Sequence, residues 1–420
     1  MLWALSRSIV GALLFWMALF FARNASGVEQ WNQFRGPTGQ GTSTATGLPV
    51  HWSEVKNVRW KTDVPGNGHS SPVVAGEDVW LTTAARGGHS LRALSFDRTT
   101  GTQQQDVEVF HIETPDIISE PLGGHACSTP FVDGERVYVS FGPNGQACLG
   151  LRTGKVLWRN TELAYRHDQK GIGTSPIVWN GFFIVSCDGM DRSRVVALHK
   201  GSGQMAWFIE RSKRLPYPAI AYSSPTISSV HGQERLFSIG AFRLSCYEPR
   251  TGQELWFCDL PGNSIIPRPV HGLGMVYVCT GGTKPELWAL RTEEDMTEKH
   301  RVAWKTQRQV PFVSSPVLVE TNLFWVSDGG IVCCVDASTG RERRSQRIGG
   351  RHFASPVAAE GRIYFFDDSG RTVVCRADSE GTIVATNSLE SGFMASPAIA
   401  GRAFYLRTRT HLYKIETPGD

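Results

Sequence analysis

The chain has 420 residues, with 43 Lys and Arg against 39 Asp and Glu and a net charge of +4. So even a balance offers no basic stripe of the kind nucleic acid demands, and no nucleic-acid partner is expected. Nine cysteines is an odd number, so at least one is unpaired within the monomer.

The first element in chain order is an export signal, predicted over residues 1–27. Arg7 supplies a positive start, "IVGALLFWMALFFA" (9–22) is a short apolar run, and "ASG" (25–27) offers the small residues a signal peptidase needs. The alternative is an uncleaved anchor, but the run is shorter than the ~20 residues that span a bilayer. No cysteine precedes Cys127, which leaves no acceptor for an N-terminal lipid. The expectation is an exported, periplasmic or extracellular protein with no integral membrane segment after cleavage. Residues 28–56 form an N-terminal arm.

From residue 57 to 417 the chain repeats. A small or hydroxyl residue, a proline and an apolar run recur as "SSPVV" (from Ser70), "STPFV" (Ser128), "TSPIV" (Thr174), "SSPTI" (Ser223), "SSPVL" (Ser314), "ASPVA" (Ala354) and "ASPAI" (Ala395), with a weaker copy, "PRPVH", at Pro267. Their prolines lie 40 to 58 residues apart. Each copy is followed by a second apolar run with an aromatic, then a third run that ends in a Thr/Gly turn such as "DASTG". A fourth run carries a tryptophan four residues past the turn glycine, as in Trp158, Trp207 and Trp256.

Four short strands per period describe a propeller blade. Proline is tolerated at a strand's first residue, where no ladder donor is needed. The fold class predicted is all-β, an eight-bladed β-propeller of four-stranded antiparallel blades. A seven-bladed ring is the alternative if the Pro267 copy is too irregular to count. After "HLYKI" (411–415) the chain ends short of a fourth strand, and "NVRWKTDV" (57–64), with Trp60 in the tryptophan position, is predicted to supply it and close the ring.

These repeats resemble the PQQ-binding-like β-propeller repeat family, whose relatives include quinoprotein alcohol dehydrogenases and BamB of the outer-membrane assembly machinery. The resemblance covers about residues 57–415, and "WNQFRGPTGQG" (31–41) and "RTRTHLYKI" also look like a subgroup of exported members of poorly defined activity. Two functions follow from it. One is a non-catalytic binding or assembly scaffold for a protein or envelope component, BamB-like and without a cofactor. The alternative is a PQQ- and calcium-dependent quinoprotein dehydrogenase acting on an alcohol or sugar. The family's enzymes stack PQQ on the ring axis between a tryptophan and a vicinal disulfide, with calcium and an aspartate base. No calcium or base motif can be placed on this chain, and no tryptophan falls in the predicted axial segments. The scaffold is the reading adopted, with no catalytic residue assigned.

The adjacent Cys333 and Cys334 test that choice. Six residues before the turn glycine stand Cys148, Cys246, Cys334 and Cys375, with Ala197 and Ala289 at the equivalent place in other copies. A position shared by Cys and Ala wants a small apolar side chain. Strand neighbours also point to opposite faces, and their Cα atoms lie ~3.8 Å apart, short of the usual disulfide range. Packing is therefore the predicted role of the pair. The candidate rim for a ligand or partner is His69, Arg166, His167, Lys170, Arg211, Lys213, Arg214, Arg351 and His352, basic residues near the starts of inner strands. The bland alternative is a set of solvated loop charges. Residues 103–124 read as a lengthened inter-blade connection, and Gln105, Arg344 and Ala385 replace the tryptophan in blades 1, 6 and 7.

Overall fold

The computed structural model describes residues 30–118, 123–211 and 219–418. The predicted signal segment and the candidates Lys213 and Arg214 lie outside them. Eight sheets form the ring of a β-propeller, so the irregular copy at Pro267 does open a blade. Blade 1 comprises Val73–Ala75, Asp78–Ala85, Ser90–Asp97 and Gln103–His111, from the axis outward. Blade 2 is Phe131–Asp133, Arg136–Ser140, Gln146–Gly150 and Val156–Asn160; blade 3 is Ile177–Trp179, Phe182–Asp188, Ser193–His199 and Met205–Glu210. Blade 4 is Thr226–Val230, Gln233–Gly240, Arg243–Tyr247 and Glu254–Asp259; blade 5 is Val270–Gly272, Met275–Cys279, Leu287–Arg291 and Val302–Thr306. Blade 6 is Val317–Val319, Asn322–Val326, Ile331–Asp336 and Glu342–Arg347; blade 7 is Val357–Ala359, Arg362–Phe366, Arg371–Arg376 and Ile383–Ser388. Blade 8 is Ala398–Ala400, Ala403–Arg407 and His411–Glu416, and Val58–Asp63 pairs antiparallel with its third strand, with Trp60 opposite Lys414.

The core lies between blades. Trp158 of blade 2 packs on Tyr138 and Phe183 at ring distances of 6.2 and 6.0 Å, and its indole N–H donates to the Lys200 carbonyl of blade 3. The facing turn glycine, Gly203, holds φ +75°, and a Cβ there would stand 2.5 Å from the indole. The glycine therefore serves both the turn and the close approach. The small residue six positions before each glycine is the tryptophan's cross-strand partner: Cys148 opposite Trp158, Ala197 opposite Trp207, Cys246 opposite Trp256 and Ala289 opposite Trp304. It is small because the indole lies beside it.

Residues 103–111 are not loop but the outer strand of blade 1, paired with Ser90–Asp97, so the inter-blade connection begins only after His111. Where blade 7 carries Ala385, the arm supplies the missing ring: Trp52 lies 6.3 Å from Tyr364 and 5.6 Å from Phe404, its backbone N–H held by Asn387. The arm is thus part of the propeller. Trp31 pairs with Val74 of blade 1, Asn32 with Val132 of blade 2, and Thr42–Ser43 runs parallel to blade 7.

Candidate functional site: a floored axial funnel

Each Ser-Pro copy starts an inner strand at the axis, and the residue before proline is held extended. That geometry aims the backbone N–H of one blade at the side chain of the next. Ser71 N–H donates to Thr129 Oγ1, Thr129 N–H to Ser175 Oγ, and Ser175 N–H to Ser224 Oγ, at 2.9, 2.9 and 2.8 Å. The series resumes with Arg268 N–H to Ser315 Oγ, Ser315 N–H to Ser355 Oγ and Ser355 N–H to Ser396 Oγ, each at 2.9 Å. Ser396 N–H to Ser71 Oγ, 3.0 Å, brings it back to blade 1. The bond from Ser224 is missing, because blade 5 carries Arg268 where the others carry a hydroxyl.

These hydroxyls line an axial cavity of about 930 Å³, its solvent-open mouth included. Its wall is built by residues just before the ring, among them His69, Cys127, Tyr222, Phe312, Val313, Phe353 and Met394. The floor comes from the arm. Phe34 lines the cavity, and its carbonyl accepts from Arg268 Nη1 at 2.6 Å. Arg35 is buried beside it, donating to the carbonyls of Gln40 and Pro316 at 2.7 and 2.6 Å. Arg407, equally buried, donates to the carbonyls of Ser70 and Thr82.

Among the described residues, none of these three guanidiniums forms an ion pair. Burial lowers Arg35 and Arg268 to about 9, with Arg268 further depressing Arg35, and lowers Arg407 to about 10. His69 is lowered to about 4, by burial first and then by Arg407 and Arg409. Tyr222 donates to Asp168 Oδ1 at 2.6 Å, and burial followed by that carboxylate raises the phenol well above its usual value.

Of the predicted rim, the structure brings His69 and Lys170 together in this lining, with the Lys170 ammonium 5.9 Å from the Phe312 ring. The rest go elsewhere. Arg166 is exposed, and the buried side chain of His167 reaches Asp116 at 3.1 Å. Arg351 is held on Asp368. Arg211 is not a rim residue: its buried guanidinium pairs with Asp188 at 2.7 Å and bonds Ser238 of blade 4. That ion pair outweighs burial and raises its pKa. His352 is also interior, with its ring nitrogens 2.9 Å from the Phe366 and Gly349 carbonyls. Sequence reasoning missed the arm's part and the hydroxyl ring; the one signal was Arg268 interrupting a Ser-Pro series.

Calcium takes several oxygen ligands with carboxylates prominent among them, and the family's PQQ needs a flat aromatic platform. Among the described residues the funnel lining contains no Asp, Glu or Trp. Among the described residues no group of His, Cys, Asp and Glu could hold a metal ion. Cys333 and Cys334 are off the axis. Cys333 packs between blades 5 and 6 and Cys334 between blades 6 and 7. The residues present do not fit calcium-bound PQQ.

An eight-bladed ring with Ser-Pro strand starts and tryptophan–glycine blade junctions defines the PQQ-like class of β-propellers. Within that class, the profile described as "Outer membrane protein assembly factor BamB" matches residues 24–164 and 191–417, and the chain belongs to this family. No curated protein matches in sequence. BamB from Moraxella catarrhalis is similar in structure at TM-score 0.59 and 12% identity, over 86% of this chain and 100% of that one. A quinohemoprotein alcohol dehydrogenase from Comamonas testosteroni is similar at TM-score 0.66 and 10% identity, over 95% of this chain and 82% of that one. A europium-containing methanol dehydrogenase is similar at 0.54 and 12%, over 90% and 89%. At such identities the likeness is one of fold. No helix among the described residues is long and apolar enough to cross a membrane.

Proposed function

We propose that the protein is an exported, non-catalytic propeller that serves as a binding scaffold for a protein partner of the cell envelope, as the BamB name of its family suggests. The observation that carries this reading is the composition of the axial funnel. A quinoprotein dehydrogenase needs carboxylates there for calcium and for a general base, and among the described residues this lining has none. A surface for a partner exists on the outer strands of consecutive blades. Leu157, Phe208 and Phe257 of blades 2, 3 and 4 are 45%, 48% and 37% exposed. Arg243 lies over the Phe257 ring at 3.7 Å, so blade 4 offers aromatic and cationic contact together. Titration of the purified protein with PQQ and Ca²⁺, followed by quinone absorbance and dye-linked alcohol oxidation, tests the proposal. No saturable binding and no turnover are expected. Stoichiometric binding with turnover would replace the scaffold by the dehydrogenase.

A further inference from the structure

We propose that the axial funnel is a metal-free binding site for an organic carboxylate with an apolar body, the carboxylate held by the hydroxyl ring and the body by the aromatic wall. Three independent features point there. The first is donor capacity. Each ring hydroxyl accepts one N–H from the neighbouring blade and keeps its own O–H to donate, and no protein acceptor for these hydrogens is found among the described residues. The Ser224 amide, left without a hydroxyl partner by Arg268, adds a donor to the same ring. The ring therefore holds a set of hydrogens free to point at an anionic oxygen on the axis.

The second feature is charge. Arg268, Arg35 and Arg407 lie behind the ring at blade 5, between blades 6 and 7, and between blades 8 and 1. All three are 3% exposed or less, and their hydrogen bonds run to neutral oxygens. Buried charge without a counter-ion is costly, and an anion on the axis would offset all three at once. Burial is the main cause that lowers His69, and Arg407 lowers it further. Lys170 adds a cation nearer the mouth.

The third feature is shape. Along blade 1 the wall residue His69 precedes the ring residue Ser71 by two positions, and Trp31 of the arm pairs with Val74, three further on. The arm thus lies on the far side of the ring and makes a blind pocket of the channel. Above the ring the wall is apolar, with Ile172, Phe312, Val313, Phe353 and Met394. A head group at the ring leaves an apolar tail against these side chains. The inference stands apart from the scaffold reading, since a scaffold can hold a ligand and a failed ligand test leaves partner binding untouched.

Isothermal titration of the full chain with decanoate, with decanol as the uncharged control, tests it. One decanoate per chain is expected, with decanol at least tenfold weaker. Ser355→Ala removes one donor to the head group and Phe353→Ala one wall contact to the tail, and each should weaken decanoate about tenfold, the equivalent of about 1.4 kcal/mol. Should Ser355→Ala loosen the ring, Phe353→Ala, which takes part in none of the ring's inter-blade bonds, still decides. Absence of binding to 1 mM, decanol binding as tightly as decanoate, or both variants at wild-type affinity would each overturn the proposal.

Discussion

The junction between blades 2 and 3 and the junction between blades 6 and 7 meet the same packing demand with different side chains. In the first, Trp158 covers Gly203 and its indole N–H reaches the Lys200 carbonyl at 3.0 Å. In the second, Arg344 covers Gly381 and donates to the Glu380 carbonyl, one residue before that glycine, whereas Lys200 stands three before Gly203. What Arg344 does not replace is volume. A small cavity remains among Phe324, Cys334, Ile363, Phe365 and Cys375. The hydrogen bond varies as well, since the indole N–H groups of Trp207 and Trp256 find no partner among the described residues. What Trp60, Trp158, Trp207 and Trp304 share is the ring packed on a facing glycine. Gln105 donates to the Arg152 carbonyl at 3.2 Å between blades 1 and 2, again without the ring.

The largest effect should come from removing the better-packed side chain. Trp158→Ala deletes a ring that is 8% exposed, and should lower stability by about 3–5 kcal/mol in urea unfolding. Arg344→Ala should lower it by about 1 kcal/mol or less. Arg344→Trp, which restores the ring that other junctions carry, should raise it by about 1 kcal/mol. Equal losses for the two alanine variants would show that the hydrogen bond and not the packing holds the junctions.

The facing glycines sharpen the same contrast. Gly203 and Gly381 both hold positive φ, +75° and +52°, so alanine is strained by about 1 kcal/mol at either. At Gly203 the new Cβ would also meet the Trp158 ring at 2.5 Å, whereas at Gly381 the nearest atom is Arg344 Cδ at 3.5 Å. Overpacking should bring Gly203→Ala to about 2–3 kcal/mol and leave Gly381→Ala near 1. Matching thermal midpoints for the two variants would remove the close approach as the reason for the first glycine.

How much of this could be read from the sequence depends on the range of the contacts. The eight blades were legible because strand, turn and tryptophan recur locally and each has a backbone reason to be where it is. Cys148 and Ala197 read as small packed positions from the repeat alone, although the neighbouring indole was visible only across the strand pair. The arm's place was not legible. Its partners are backbone carbonyls and strand edges hundreds of residues away, such as Arg35 on Pro316, and carbonyls leave no mark in sequence. The candidate rim failed for a related reason. Arg211 and Lys170 look alike as loop cations, but Arg211 has Asp188 within reach inside the ring and turns inward.

Axis and rim should also differ in their response to acid. His69 and His271 are both lowered to about 4, mainly by burial and secondarily by Arg407 and Arg409 for the first and by Arg268 for the second. An unfolded histidine takes its proton near pH 6.5, while these folded ones refuse it until about 4. The stability they contribute is complete above pH 6.5 and is lost as pH falls towards 4. Urea midpoints should therefore drop between pH 7 and pH 4.5, and less steeply in His271→Asn. An unchanged slope in that variant would remove His271 as a source of the acid sensitivity.

The smallest effect is expected at the adjacent cysteines. Cys333 faces Ser345 at 3.9 Å on one side of its strand, and Cys334 borders the blade 6–7 cavity on the other. Both are free thiols, 2% and 3% exposed, and burial raises each to about 11. At neutral pH they are protonated and shielded, which leaves them inert to thiol reagents in the folded state. Cys334 is one of the small residues that stand beside the outer strand, here opposite Arg344. Nothing at the axis depends on it. Cys333→Ser/Cys334→Ala should thus keep the ring folded, shift the urea midpoint by about 1 kcal/mol or less, and leave decanoate affinity at the wild-type value. Mass spectrometry that found a Cys333–Cys334 disulfide in the native protein would contradict this and return the pair to redox chemistry. Trp158→Ala and the double cysteine variant then mark the two ends of one scale, set by how much volume each side chain fills between blades.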